Sequence, residues 1–159
     1  MKIKLFILTL ACALAVTGCT LNENEAIEKS SENNIQQASQ NDWGITLKAE
    51  NVTPKGLTVI CEQSGGENVA ELDTGSYYFI QRYDEEWTNV EYLPQEYDIS
   101  WTSEAWIITK DSSVSWDIDW EWLYGKLPAG KYRIGKEIMN FRETGDYDKE
   151  TVYAEFIIE

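Results

Sequence analysis

Leu127-Pro128-Ala129-Gly130-Lys131-Tyr132-Arg133-Ile134 carries more information about the fold than any other stretch of this 159-residue chain. Leu127 is placed to drop into a core. Pro128 fixes one backbone angle and Gly130 tolerates conformations closed to other residues, so together they make a bend. Tyr132 then enters a strand, with apolar Ile134 two residues on and therefore on the same face.

Outward from this corner, short strand patterns recur between turn signals. Ile45, Leu47 and Ala49 alternate with Thr46, Lys48 and Glu50, the period of a half-buried strand. Val52-Thr53-Pro54-Lys55-Gly56 is a turn. Leu57, Val59 and Cys61 form the inward set of a second strand, which Gln63-Ser64-Gly65-Gly66 ends. A third strand is expected over Ser76–Tyr83. Asp84-Glu85-Glu86 turns it back into Trp87–Tyr92, and Pro94 stops that strand. Further strands are expected near Trp106–Thr109 and Val114–Trp120. The last two, Lys131–Ile138 and Thr151–Ile158, are expected to be joined by a polar loop, Arg142–Glu150. Seven to nine short strands with no long helix point to an all-β, antiparallel sandwich.

The Leu127–Ile134 run resembles the tyrosine corner of immunoglobulin-like sandwiches. There a tyrosine hydroxyl bonds back to the backbone a few residues upstream. The resemblance gives Leu127, Pro128, Gly130 and Tyr132 a structural role. The wider run Trp120–Lys136, the start Trp43-Gly44-Ile45-Thr46-Leu47 and the middle Tyr92-Leu-Pro-Gln-Glu-Tyr97 are similar to a bacterial immunoglobulin-like domain of exported Firmicutes proteins. The resemblance covers residues 43–159 and implies an immunoglobulin-like sandwich. It brings no catalytic residues. The disulfide and core tryptophan of antibody domains are not matched, because Cys61 has no partner cysteine.

Residues 1–18 read as an export signal. Lys2 and Lys4 precede an apolar run from Leu5 to Val16 broken only by Thr9. A bilayer-spanning helix needs about 20 apolar residues, and this run is shorter. It ends Val16-Thr17-Gly18-Cys19, which resembles a bacterial lipobox. That resemblance implies that Cys19 is acylated, becomes the mature N-terminus and anchors the protein outside the cytoplasm. Cys12 lies within the run and would leave with it. Residues 19–42 are rich in Asn, Glu, Ser and Gln, without an aromatic ring. They read as a disordered tether with a mean reach on the order of 25 Å.

Loss of residues 1–18 would remove two lysines and no acid, leaving 11 basic against 28 acidic residues and a net charge of −17. Such a surface repels nucleic-acid backbones and anionic headgroups, so acyl chains are expected to do the holding. Cys61 would be left without a disulfide partner. Core stability must then come from apolar burial, for which 7 Trp and 9 Tyr supply the means.

The chain has no histidine, which removes Ser-His and Cys-His nucleophilic pairs and the common zinc sites. No glycine-rich loop precedes a helix, so phosphate cradles are absent. Asp117, Asp119 and Glu121 read as a solvated acidic stripe. Asp146, Asp148 and Glu150 alternate like oxygen ligands, but the turn glycine and distant glutamate of a calcium loop are missing. No catalytic, cofactor or metal residue is therefore assigned.

Trp116, Trp120 and Trp122 share strand parity with Ile118. They are expected on the core face, with an end residue emerging. Trp101 and Trp106 are expected to add to an exposed patch on the opposite side. The leading expectation is a lipid-anchored, non-enzymatic module that binds or scaffolds a protein or glycan of the cell envelope. The alternatives are a carbohydrate-binding module using exposed Trp and Tyr, and an extracellular protease inhibitor presenting Asp84–Glu86 or Arg142–Glu150.

Overall fold

Residues 41–159, the part of the chain described by the computed structural model, form nine strands in two antiparallel sheets. The smaller sheet has the order β1 (Ile45–Thr53), β2 (Gly56–Gln63), β7 (Ser112–Asp119). The larger is built on β8 (Gly130–Glu143), which pairs along its whole length with β9 (Asp146–Ile158). The expected signal, Cys19 and the expected tether up to residue 40 lie outside the described residues.

The other edge of β8 is shared by two strands in line. β4 (Phe79–Asp84) pairs with its first half and β3 (Glu71–Thr74) with its second. β5 (Glu86–Asn89) extends β4, and β6 (Trp106–Ile108) extends β3. A single helical turn, α1 (Glu121–Tyr124), follows β7. The inward sets of both sheets meet in one core. It includes Ile45, Leu47, Val59 and Cys61 from one side and Tyr132, Ile134, Ile138 and Phe156 from the other.

The corner at the start of β8 is closed by the Tyr132 hydroxyl, which donates to the Pro128 carbonyl at 2.9 Å. Leu127 is buried, and its N–H donates to the Pro54 carbonyl at 2.9 Å, joining the corner to the β1–β2 turn. Tyr132→Phe is expected to cost about 1 kcal/mol in urea denaturation, the usual net value of one such bond. A loss near zero would show that the ring alone holds the corner.

Between β3 and β4, Gly75–Tyr78 leave the edge of β8 unpaired opposite Lys136 and Glu137. Side chains fill the gap. The Lys136 ammonium donates to the carbonyls of Gly75 at 2.7 Å and Tyr77 at 3.2 Å, and the Thr74 hydroxyl donates to the Glu137 carbonyl at 2.7 Å. Lys136 is fully buried on the core face. Its ammonium also lies 5.1 Å from the Trp106 ring centre and 5.6 Å from that of Trp116. Two carbonyls and two π faces thus surround a charge that has no carboxylate ion-pair partner among the described residues.

Three expectations change in detail. Arg142–Glu150 is not a loop: β8 and β9 run on as a hairpin that turns at Thr144-Gly145. Arg142 stands at a bulge and pairs with Asp146 at 2.6 Å and Asp148 at 2.8 Å. Those cross-strand pairs, with the backbone ladder, carry strand structure past the core, where side-chain alternation gives no signal. Glu71–Thr74 forms a further strand, β3, too short to show a period in the sequence. The strand expected over Ser76–Tyr83 starts at Phe79, because the gap that Lys136 fills occupies its first part.

Candidate functional site

The tryptophans divide between core and surface. Trp120 is fully buried and stacks on Phe156 at 5.7 Å. Its indole N–H donates to the Pro54 carbonyl at 3.0 Å. Trp116 is half-buried and lies flat against Trp106 at 5.7 Å. Trp122 is 51% exposed. The turn of α1 ends the strand alternation at Trp120, so Trp122 emerges where a continued strand would have turned it inward.

Trp101 and Trp106 do not form a separate patch on the opposite side. Trp101 packs edge-on against Trp122 at 6.0 Å, and Trp106 covers Trp116. β6 leads through a tight turn at Lys110-Asp111 into β7, which brings Trp106 over Trp116, while Trp101, in the loop before β6, packs on Tyr77, Tyr78 and Trp122.

These rings wall a cleft of about 250 Å³, with Trp101, Trp106, Trp122 and Tyr78 as its aromatic side and Ser76, Ser100 and Thr102 as its hydroxyl side. The open edge of β7 at Asp117–Asp119 completes it. Lys136 sets part of this wall, because it holds the Gly75 and Tyr77 carbonyls on either side of Ser76. The Ser76 hydroxyl in turn donates to the Thr102 carbonyl at 3.2 Å, tying the gap segment to the loop that carries Trp101.

A second, wider cleft of about 510 Å³ lies on the outer face of the larger sheet. Tyr77, Phe79, Tyr92 and Tyr153 line it, with Asn89 and Glu91 at the rim. Gly135 is what lets Phe79 lie flat here. A Cβ on Gly135 would collide with the Phe79 ring, so the smallest side chain makes room for the platform. The Tyr124 hydroxyl, beneath this cleft, accepts the Ile80 N–H at 3.2 Å.

A third aromatic group on the same face is already occupied. The Arg133 guanidinium lies 4.5 Å from the Trp87 ring centre and 4.0 Å from that of Tyr153, and its Nε donates to the Gln81 side chain at 2.6 Å. The Lys131 ammonium covers Tyr83 at 5.3 Å and Trp87 at 5.4 Å.

Of the acidic residues singled out in the sequence, Asp117 and Asp119 reach the edge of the first cleft, and the others line neither cleft. Asp117 accepts the Thr58 hydroxyl at 2.7 Å on the outer face of the smaller sheet. Asp119 accepts the Glu121 N–H at 2.8 Å, and Glu121 pairs with Lys55 at 2.8 Å. Asp146 and Asp148 are spent on Arg142, which holds the Asp146 carboxyl below its usual range. Glu150 accepts from the Asn41 side chain at 2.8 Å. No group of three or more His, Cys, Asp or Glu side chains placed to hold a metal ion occurs among the described residues. Cys61 is fully buried, and burial pushes its thiol up to about 12, so it stays protonated and unreactive at neutral pH.

Tyr77, Phe79 and Tyr92 were not singled out as surface residues by the sequence. The signal was Tyr77-Tyr78-Phe79: three successive rings on a pleated chain cannot all face one core. No curated protein matches the chain. Residues 23–157 match the family model described as a bacterial Ig-like domain, and the chain belongs to that family.

Proposed function

We propose that this protein is a membrane-anchored surface lipoprotein whose Ig-like domain is a non-enzymatic binding module. The observation that carries the binding role is the pair of open aromatic clefts, in which ring faces and hydroxyls converge without a nucleophile–base pair. Membership of the bacterial Ig-like family fits an extracytoplasmic position. The anchoring rests on Val16-Thr17-Gly18-Cys19 after a basic start and an apolar run. With a mature charge of −17, acyl chains are the means of holding the protein to an anionic membrane.

The test is fractionation of cells expressing the wild-type chain and Cys19→Ala. The wild type is expected in the membrane fraction and to enter the detergent phase. Cys19→Ala is expected to lose most of that material to the soluble or secreted fraction. An unmodified N-terminus beyond residue 19, found by mass spectrometry in the wild type, would overturn the anchoring.

The carbohydrate reading is favoured over the inhibitor reading by one observation. The two segments offered for inhibition are tight hairpin turns, at Glu85 and at Thr144-Gly145, closed by antiparallel ladders and not extended loops of the kind that fills a protease cleft. The exposed indole of Trp122, by contrast, sits in a cleft.

A further inference from the structure

The geometry points to a single aromatic track that joins the two clefts and takes a linear, uncharged oligosaccharide. This deepens the reading of the domain as a binding module and rests on it. Ring contacts run without a break along the track. Trp122 meets Trp101 at 6.0 Å, Trp101 meets Tyr77 at 5.3 Å, Tyr77 meets Phe79 at 6.2 Å, and Phe79 meets Tyr153 at 5.9 Å. Trp101 lines the first cleft and Tyr77 the second, so their edge-on contact is the shared wall.

The chemistry of the walls selects the ligand. A pyranose ring presents an apolar C–H face to an aromatic ring and hydroxyls at its rim. Trp122 at 51% exposure and Tyr92 at 40% offer such rings in the two clefts. Ser76, Ser100 and Thr102 stand beside the first, Asn89 and Glu91 beside the second. Neither cleft has Lys or Arg in its walls, and the chain as a whole is strongly acidic, which disfavours phosphorylated or uronic sugars. Asp117 and Asp119 line the first cleft at the β7 edge, each with one carboxylate oxygen bonded, to the Thr58 hydroxyl and to the Glu121 N–H, and a cationic probe tests whether their charge outweighs the ring faces. Arg133, at the Tyr153 end, is held by Gln81 and two rings, which closes the track there.

The walls are set before any ligand arrives. Lys136 pins both sides of Ser76, the Ser76–Thr102 bond ties that segment to Trp101, and Gly135 seats Phe79. A preformed track avoids much of the ordering cost that weakens binding to mobile loops.

The test uses the full-length protein in detergent micelles, followed by calorimetry and tryptophan emission. The probes are di-, tetra- and hexamers of N-acetylglucosamine, β-linked glucose and α-linked glucose, with polygalacturonate and tetramethylammonium as charged counterparts. At least one uncharged series is expected to bind, with the hexamer about tenfold tighter than the dimer because it reaches both clefts. Trp122→Ala and Tyr92→Ala remove exposed rings and are expected each to weaken hexamer binding about tenfold at an unchanged melting temperature. Tyr147→Ala, an exposed ring that lines neither cleft, should change nothing.

Binding of none of the uncharged series, or of only a charged probe, overturns the inference. So does loss in only one of the two ring variants, which would leave a single cleft and no track. Membrane fractionation of the same preparation separates the two readings. Protein anchored but blind to glycans defeats only this inference, whereas unanchored protein defeats the tethering whatever the glycan result.

Discussion

Stability is expected to rise by about 3 kcal/mol through Lys136 alone as the pH climbs from neutrality to 10.5. Burial holds the ammonium down to about 8, against an ordinary value of 10.5. Between those values the unfolded chain binds a proton that the folded chain has shed, so stability increases with pH across the window. Below about 8 the full penalty for the buried charge stands. Two groups act in the opposite sense. The Cys61 thiol is pushed from 9.0 up to about 12, so the folded chain keeps that proton longer and its contribution fades as pH rises through that range. Burial also raises Tyr78 and Tyr124, whose contributions are lost above the usual tyrosine value of about 10. The wild-type curve should therefore crest between about pH 9 and 10.

Lys136→Met isolates the effect. Methionine keeps an unbranched stem but carries no charge, so the rise should vanish. At neutral pH the loss of the two carbonyl bonds and the removal of a buried charge nearly offset each other. Urea denaturation of both proteins across the range is the measurement. Parallel curves for wild type and variant would show that Lys136 is not the titrating group.

Trp120→Ala is expected to cost about 3–5 kcal/mol, the range for truncating a fully buried large aromatic. Three losses combine. The indole leaves a cavity against Phe156, the stacked contact at 5.7 Å disappears, and the Pro54 carbonyl loses the indole N–H. Trp120 also anchors the β1–β2 turn through its backbone, whose N–H donates to the Lys55 carbonyl at 2.8 Å. Trp120→Phe keeps most of the volume and should recover more than half of the loss. Trp122→Ala, two residues on, removes an exposed ring and should leave the melting temperature in place. Equal destabilisation by Trp120→Ala and Trp122→Ala would contradict the division of the tryptophans.

Much of the fold was legible because alternation is a local property. Ile45, Leu47, Val59 and Cys61 declared their strands within a few residues. The β8–β9 extension was not legible, because beyond the core both faces meet water and polar residues fit either side. Lys136 also broke the pattern it sits in. Tyr132, Ile134, Lys136 and Ile138 form one inward set, and a lysine there is a sign of burial that only its partners explain. Those partners, Gly75, Tyr77, Trp106 and Trp116, lie 20 or more residues away in sequence.

By itself the sequence determined the sandwich, the bend at Pro128–Gly130, the absence of histidine chemistry and the acidic charge, since each depends only on residue type or short-range spacing. The tertiary structure decided which rings are surface and which are core. Trp116, Trp120 and Trp122 share one period, yet the turn of α1 and the packing of Trp106 and Trp101 send them to three different environments. The joining of the two clefts through Trp101 and Tyr77 was likewise a tertiary outcome. It requires two segments far apart in the chain to pack edge-on, and no local pattern encodes that contact.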